Sequence, residues 1–285
     1  MDNFRYVVIG HPLGHSMSPF IHRRLFALQG REEDYGSVDI PPEELAGRLA
    51  GMLETVRGLN VTIPHKQAVI PCLRRLEGRA ALYRSVNTIA VTPEGAVGYN
   101  TDADGFLCAL KGAGVALRGR AALLGCGGVG RTFACEAALA GCAVVNAVRD
   151  ADREAAAALK EYVLALSPKT DYAIVSLDNL AAQGDFDLLI NATPVGMYPH
   201  ADASPLEGEA VKRCAAVFDA VYNPRRTRLL ELAEAAGART VGGMPMLVWQ
   251  AAAAHTVWYG ASFREEDIQA LTADAQDEME RRFQR

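Results

Sequence analysis

The chain has no apolar run approaching the roughly 18 residues a bilayer-spanning helix needs, which excludes a membrane-spanning helix. Its six cysteines (Cys72, Cys108, Cys126, Cys135, Cys142 and Cys214) form no CxxC pair and no framework spacing, so they point to reduced thiols in a cytoplasmic protein. Excess positive charge is missing too. Lys and Arg number 29 against 34 Asp and Glu, a net charge of −5, which excludes a generally basic nucleic-acid binder. The amino-terminal MDNFRYVVIG runs straight into a strand-like segment without the h-region of a secretory signal. There is no internal repeat and no low-complexity tract. What is present is a globular composition, 50% hydrophobic and 22% charged, over 285 residues, enough for one large domain or two ordinary ones.

Short β-branched runs alternate with helical stretches along the chain, which predicts an α/β fold of parallel βαβ units. Strands are expected at Tyr6–Ile9, Tyr35–Ile40, Gly58–Ile63, Val86–Val91, Ala121–Leu124, Ala143–Val148, Tyr172–Val175, Phe186–Ile190 and Ala216–Asp219. Helical periodicity marks Thr132–Ala140 and Arg153–Leu166 between them, and an apolar helix Met246–Tyr259 and a charged helix Arg264–Arg285 close the chain. A glycine-rich basic stretch, Gly112–Arg120, separates two βα series, and GGMP at 242–245 ends the second. The final helices are the material available to complete the first series. The expectation is therefore a discontinuous domain of residues 1–102 and 243–285, interrupted by a second domain of residues 103–242.

The second series opens with a dinucleotide-binding pattern. Gly125-Cys126-Gly127-Gly128-Val129-Gly130 follows a strand and precedes a helix expected from about Arg131. The first glycine permits the tight turn, the second lets backbone N–H groups approach a pyrophosphate, and the helix N-terminus favours that anion. Cofactor choice turns on the end of the next strand, where a carboxylate suits a ribose 2′-hydroxyl. Here stand Arg149, Asp150 and Arg153, with Arg131 on the facing helix. Guanidinium groups suit a 2′-phosphate, and one charge-assisted bond gives roughly 10- to 150-fold preference. Asp150 repels a phosphate, yet the arginines outweigh it, so NADP is expected and NAD stays possible.

In the first series, polar motifs fall where strands end, the place open α/β sheets put ligands. They are His15-Ser16-Met17-Ser18-Pro19, Asn60-Val61-Thr62-Ile63-Pro64-His65-Lys66, Ser85-Val86-Asn87-Thr88 and Tyr99-Asn100-Thr101-Asp102. This set of hydroxyls, amides, one ammonium and one carboxylate suits a small polyhydroxylated acid. It does not suit a metal, and Pro12 and Gly14 argue against a helical His11/His15 ligand pair. Lys66 follows Pro64 at an expected helix start, where dipole and burial disfavour its ammonium form; Asp102 precedes a helical stretch at Gly105–Leu110, where a carboxylate is favoured. If the two meet, a proton relay from a substrate hydroxyl through the lysine follows.

These motifs, together with Met246-Leu247-Val248-Trp249-Gln250-Ala251-Ala252, occur in the order seen in the shikimate dehydrogenase family, and the resemblance covers nearly the whole chain. It implies a parallel-sheet substrate domain plus a Rossmann-type dinucleotide domain. It also implies reversible NADPH-dependent reduction of 3-dehydroshikimate to shikimate, on the route to chorismate and aromatic amino acids, by a monomer or homodimer. On the matching positions, Lys66 is the catalytic lysine and Asp102 its partner. Ser16 and Ser18 hold the substrate carboxylate with Tyr222, although Ser18 also suits an N-cap before Pro19–Leu28. Asn60, Thr62, Asn87 and Gln250 bind ring hydroxyls or order the lysine. The cofactor segments are Gly125–Val129 and Val148–Arg153, with Asn191-Ala192-Thr193 and Gly243. The family's N-R-T clamp reads Val148-Arg149-Asp150 here, and Ala103 replaces a common glycine. Two alternatives stay open: a quinate/shikimate dehydrogenase using NAD, and a catalytically silent Rossmann-type metabolite sensor, against which intact Lys66 and Asp102 argue.

Overall fold

The computed structural model describes residues 4–14 and 16–283. The chain divides into two compact units, Met1–Gly105 with Val248–Arg285, and Phe106–Leu247.

The first unit begins β1 (Tyr6–Gly10), α1 (Ser18–Leu28), β2 (Tyr35–Asp39), α2 (Leu45–Leu53) and β3 (Gly58–Val61), then β4 (Arg75–Leu76), α3 (Arg79–Tyr83), β5 (Thr88–Thr92) and β6 (Gly95–Tyr99). Its sheet has the order β2-β1-β3-β5-β6-β4. The pairs β1–β2, β1–β3 and β4–β6 are parallel, whereas β5 runs antiparallel to both β3 and β6. The expected parallel-sheet architecture holds, with β5 as the one reversed strand. Pro93 and Glu94 join β5 to β6 in a hairpin too short for a parallel crossover. That reversal has a consequence for the site. It puts the start of β5, with Asn87 and Thr88, at the same end of the sheet as the carboxyl ends of β1, β3 and β6, and Asn60 pairs with Thr88. Two-residue β4 and glycine-bearing β6 carry too little β-branched periodicity to be expected from sequence.

Helix α4 (Asp102–Gly112) leads into β7 (Arg120–Leu124), α5 (Gly128–Leu139), β8 (Ala143–Val148), α6 (Arg153–Leu166), β9 (Tyr172–Ser176), β10 (Leu188–Asn191), α7 (Glu209–Lys212), β11 (Ala216–Asp219), α8 (Arg228–Ala235) and β12 (Arg239–Val241). All five strand pairings in this second sheet are parallel, in the order β12-β11-β10-β7-β8-β9. Counted within the unit this is 6-5-4-1-2-3, the doubly wound order whose switch point lies between β7 and β10. Phe106, Phe133 and Phe218 interlock in its core with centroids 4.4–5.5 Å apart. Three-residue β12 was too short to be expected, and Phe186, expected in a strand, makes only an isolated bridge to Cys214.

Helices α9 (Gly243–Tyr259) and α10 (Glu265–Phe283) close the chain. In the first unit, Trp258 of α9 donates from Nε1 to the Ile89 carbonyl at 3.0 Å and fills the space above Gly58, where a Cβ would lie 2.4 Å from that nitrogen. Among the described residues no helix is long and apolar enough to cross a membrane. All six cysteines are free, and burial pushes the Cys135 and Cys214 thiols up to about 12 and Cys142 to about 11.

Candidate active site

The strand order of the first unit places its switch point at β1 and β3, whose following loops are residues 11–17 and 62–69. The His11 N–H donates to the Ile63 carbonyl at 2.9 Å and ties the two loops together. Lys66 sits in the second loop and Asp102 begins α4. The Lys66 ammonium Nζ donates to Asp102 Oδ2 at 2.6 Å, and both side chains are mostly buried, 13% and 8% exposed. The residues on which the proton-relay expectation rested are therefore in direct contact.

Lys66 does not open a helix, however. Residues 63–69 form a run of turns ending in a 3₁₀ turn at Ile70–Cys72, because Pro71 cannot donate the N–H an α-helix needs there. The helix dipole invoked from sequence is absent at this lysine. His65 anchors the turn instead: its buried ring meets the Ile40 carbonyl through Nε2 at 2.7 Å. Asp102, by contrast, lies in the first turn of an eleven-residue helix, where a carboxylate is favoured.

Asn87 holds the other carboxylate oxygen. Its Nδ2 donates to Asp102 Oδ1 at 2.9 Å, to Thr101 Oγ1 at 3.0 Å and to Gln250 Oε1 at 3.3 Å. Its Oδ1 accepts from the Thr101 N–H at 2.7 Å, which fixes the amide's direction. Gln250 is buried, 8% exposed, not a solvent-facing polar residue on an apolar helix. Asn60 donates to Thr88 Oγ1 at 3.1 Å and the Asn87 carbonyl at 3.3 Å, and accepts from the Tyr35 hydroxyl at 2.6 Å. Its amide is thereby engaged within the protein, which favours an ordering role over contact with a ring hydroxyl. Thr62 is half-buried just after β3, its N–H bonded to the Ile9 carbonyl at 2.9 Å.

Ser16 and Ser18 are both half-buried at the start of α1. Met17 occupies the N-cap position and no side chain caps the helix from there, so the expected N-cap role of Ser18 is corrected; Ser16 Oγ instead accepts from the Ser18 N–H at 3.2 Å. The loop leading to them is braced by Asp39, which accepts from His11 Nδ1 at 2.6 Å and the Leu13 N–H at 2.8 Å. Those two bonds hold the Asp39 carboxyl below the usual carboxylate range, the His11 bond most of all. His15 lies outside the described residues. Among those described, no group of three or more ligating side chains could hold a metal ion.

In the second unit, helix α5 begins at Gly128, three residues earlier than expected, with Gly127 as its N-cap. Gly125 adopts φ +90°, and a Cβ there would crowd Thr193 Cγ2 at 3.0 Å. Around Gly127 nothing lies within 4 Å of such a Cβ, so this position faces open space in which a phosphate can approach backbone N–H groups. Asn146, in the middle of apolar β8, donates to the Leu123 and Gly125 carbonyls at 3.0 Å each and pins the start of the loop. A lone amide inside AVVNAV was the available signal for it. Cys126 sits in the loop with its thiol 3.9 Å from the Asp152 carbonyl, and burial pushes that thiol up.

Arg149 and Arg153 follow β8 with side chains 74% and 51% exposed. Each is paired three residues away, Arg149 with Asp152 at 2.6 Å and Arg153 with Asp150 at 2.9 Å. Asp152 was missed from sequence, although its i,i+3 spacing from Arg149 was legible. Arg131 does not join this cluster. Its guanidinium carbon lies 3.8 Å from the centroid of Tyr162, nine residues along α6 from Arg153. The early helix start puts Arg131 in the fourth position of α5, about one turn in from its N-terminus.

The Asn191 side chain is likewise engaged internally. It donates to Asp219 Oδ1 at 2.9 Å and accepts from the Thr193 N–H and hydroxyl at 3.0 and 2.7 Å, while Thr227 donates to Asp219 Oδ2 at 2.6 Å. Burial pushes the Asp219 carboxyl up, opposed by the Thr227, Val221 and Asn191 donors. Asn191 thus shapes the loop after β10, across the switch point from Gly125. Gly243 is a packing glycine whose Cβ would lie 2.4 Å from the Ala220 carbonyl, and its N–H faces the Val221 carbonyl at 3.2 Å. Tyr222, next to Val221 after β11, is half-buried.

A doubly wound sheet with a glycine turn at its switch point, carried in one chain with a lysine–carboxylate pair set among amides and hydroxyls, defines a Rossmann-type dehydrogenase. Comparison with known proteins narrows the class. Residues 8–89 match the family model for the shikimate dehydrogenase substrate binding domain. The shikimate dehydrogenase (NADP(+)) of Moorella thermoacetica is 38% identical over 256 residues, covering 89% of this chain and 87% of that protein. The crystal structure of shikimate 5-dehydrogenase from Thermus thermophilus in complex with NADP(H) and shikimate has a TM-score of 0.84 and 36% identity, covering 95% and 99% of the two chains. That of the Listeria monocytogenes enzyme with shikimate and NAD has a TM-score of 0.82 and 29% identity, covering 95% and 97%. The chain belongs to the shikimate dehydrogenase family.

Proposed function

We propose that this protein is an NADP-dependent shikimate dehydrogenase, interconverting shikimate and 3-dehydroshikimate. The observation that carries the reading is the 2.6 Å contact between Lys66 and Asp102. In the oxidising direction the ring hydroxyl loses its proton to the Lys66 amine as the carbinol carbon loses hydride; in the reducing direction the ammonium returns the proton to the nascent alkoxide. Asp102, fixed by Asn87, keeps the lysine aligned. NADP, when bound, supplies the hydride acceptor. Ser16 and Ser18 receive the substrate carboxylate, and Thr62 and Gln250 contact ring hydroxyls.

The residues present fit the cofactor. The open space at Gly127 suits a pyrophosphate at the α5 N-terminus, and the exposed guanidinium groups of Arg149 and Arg153 suit a 2′-phosphate by their chemistry. Initial rates with NADP and NAD, each against shikimate and quinate, test the reading. Shikimate with NADP is expected to give the largest kcat/KM. A larger value with NAD, or quinate turnover comparable to shikimate, supports the broader NAD enzyme instead. No turnover of either polyol contradicts dehydrogenase function.

A further inference from the structure

The hydrogen bonds around Asp102 do not end at Asn87. Fully buried Tyr35, on β2, donates its hydroxyl to Asn60 Oδ1 at 2.6 Å. Asn60 passes the direction on by donating Nδ2 to Thr88 Oγ1 at 3.1 Å, and Thr88 donates to Asn87 Oδ1 at 3.1 Å. Asn87 Nδ2 then reaches Asp102 Oδ1, whose other oxygen holds Lys66. Every donor along this path points toward the carboxylate.

The start of the path is the part that is locked. The Tyr35 ring lies flat on the His22 imidazole, centroids 4.1 Å apart and planes within 2°. His22 Nδ1 is bonded to His255 Nε2 at 2.9 Å, and His255 Nδ1 to the Tyr259 hydroxyl at 2.5 Å. Burial pushes the Tyr35 phenol well above its ordinary range, so its oxygen stays a donor. Such a donor matters because a carboxamide turned over has almost the same shape, and its direction is set by partners that can only donate or only accept: here the Tyr35 phenol at Oδ1 and the Asn87 carbonyl, 3.3 Å from Nδ2. With Oδ1 of Asn60 claimed by the phenol, its NH₂ is turned to Thr88, and the Thr88 hydroxyl in turn has Asn87 Oδ1 and Thr101 Oγ1 as acceptors.

We propose that Tyr35 is a positioning residue for the proton-transfer pair, acting through Asn60, Thr88 and Asn87 to hold Asp102 against Lys66. The inference rests on the reading of Lys66 and Asp102 given above. Hydrogen bonds in series strengthen one another by some 10–30% per link, so removing the first donor weakens the last without abolishing it.

Tyr35→Phe keeps the ring on His22 and deletes the donor. The expected result is a two- to fivefold fall in kcat for shikimate oxidation, with KM for NADP unchanged, and a displaced side-chain amide signal of Asn87 in ¹⁵N NMR. Thr88→Val breaks the path one link on and is expected to do the same, which also covers failure of Tyr35→Phe to fold. Thr88→Ser, which restores the hydroxyl, is expected to recover both values. An unmoved Asn87 amide signal in Tyr35→Phe overturns the proposal, as does wild-type kcat when the signal has moved. Absence of shikimate oxidation by the unaltered enzyme refutes the activity, while the amide signal still judges the network.

Discussion

Gly125 and Gly127 stand two residues apart in one turn, and the structure gives them opposite reasons for being glycine. At Gly125, φ is +90° and an alanine methyl would sit 3.0 Å from Thr193 Cγ2. Gly125→Ala therefore combines left-handed backbone strain with a tight contact, and a stability loss of about 1–3 kcal/mol is expected. Gly127 has φ −70° and ψ −170°, ordinary extended backbone, with no atom within 4 Å of an added Cβ. There the entropy gain of Gly→Ala, about 0.4–1 kcal/mol, is offset by a poorer N-cap of similar size. Gly127→Ala should thus unfold within about 1 kcal/mol of the wild type. Its methyl occupies the space a pyrophosphate needs, however, and loss of one charge-assisted bond weakens binding roughly 10- to 150-fold. Urea unfolding paired with calorimetric titration of NADP separates the two effects. Wild-type NADP affinity in Gly127→Ala, with its fold intact, refutes the assignment of this turn as the phosphate cradle.

The other expectations concern separate parts of the molecule. Arg149→Ala should raise KM for NADP and leave NAD nearly untouched, whereas Asp152→Asn, which frees the Arg149 Nε now bonded at 2.6 Å, should widen the NADP-over-NAD ratio; initial rates with both cofactors check each. Burial lowers both His22 and His255, the latter to about 3, so these rings stay neutral when folded and take up protons only on unfolding below pH ~6.5. Stability is then full above that pH and falls by about 2–3 kcal/mol per unit below it, toward pH 3; denaturant titrations at pH 7.5 and 5.5 measure the loss, and a His22→Phe/His255→Phe variant should flatten it. Gly58→Ala drives a methyl into Trp258 and should lower unfolding free energy by about 1–3 kcal/mol, read by urea denaturation and the tryptophan fluorescence of the folded state.

Much of this was readable from the sequence wherever one residue type has one physical use. The glycine turn after an apolar strand located the switch point of the second sheet, and N-V-T-I-P-H-K and N-T-D located the lysine and its acid. Elements went unread where the information is not local. Strand β6 contains two glycines in five residues and exists because β5 pairs with it, and reversed β5 alone brings Asn87 to the end where Asn60 and Asp102 lie. Arg131 looked like a phosphate ligand because its motif position suits one, but it lies a turn inside α5 and its guanidinium stacks on Tyr162, a partner distant in the chain. Asn60 and Asn191 were recognisable as important amides, yet whether an amide faces a ligand or a neighbour depends on partners distant in the chain, Tyr35 for one and Asp219 for the other. Tyr35 itself reads as an ordinary aromatic at the start of a strand.

The kinetics of Lys66→Met with shikimate and NADP bear most directly on the whole account. The variant keeps an unbranched side chain, one heavy atom shorter, and deletes the group that carries the proton, while NADP affinity, measured alongside, verifies that the fold persists. A fall in kcat of at least a hundredfold with that affinity retained is the predicted result. A kcat within a few-fold of the unaltered enzyme contradicts it.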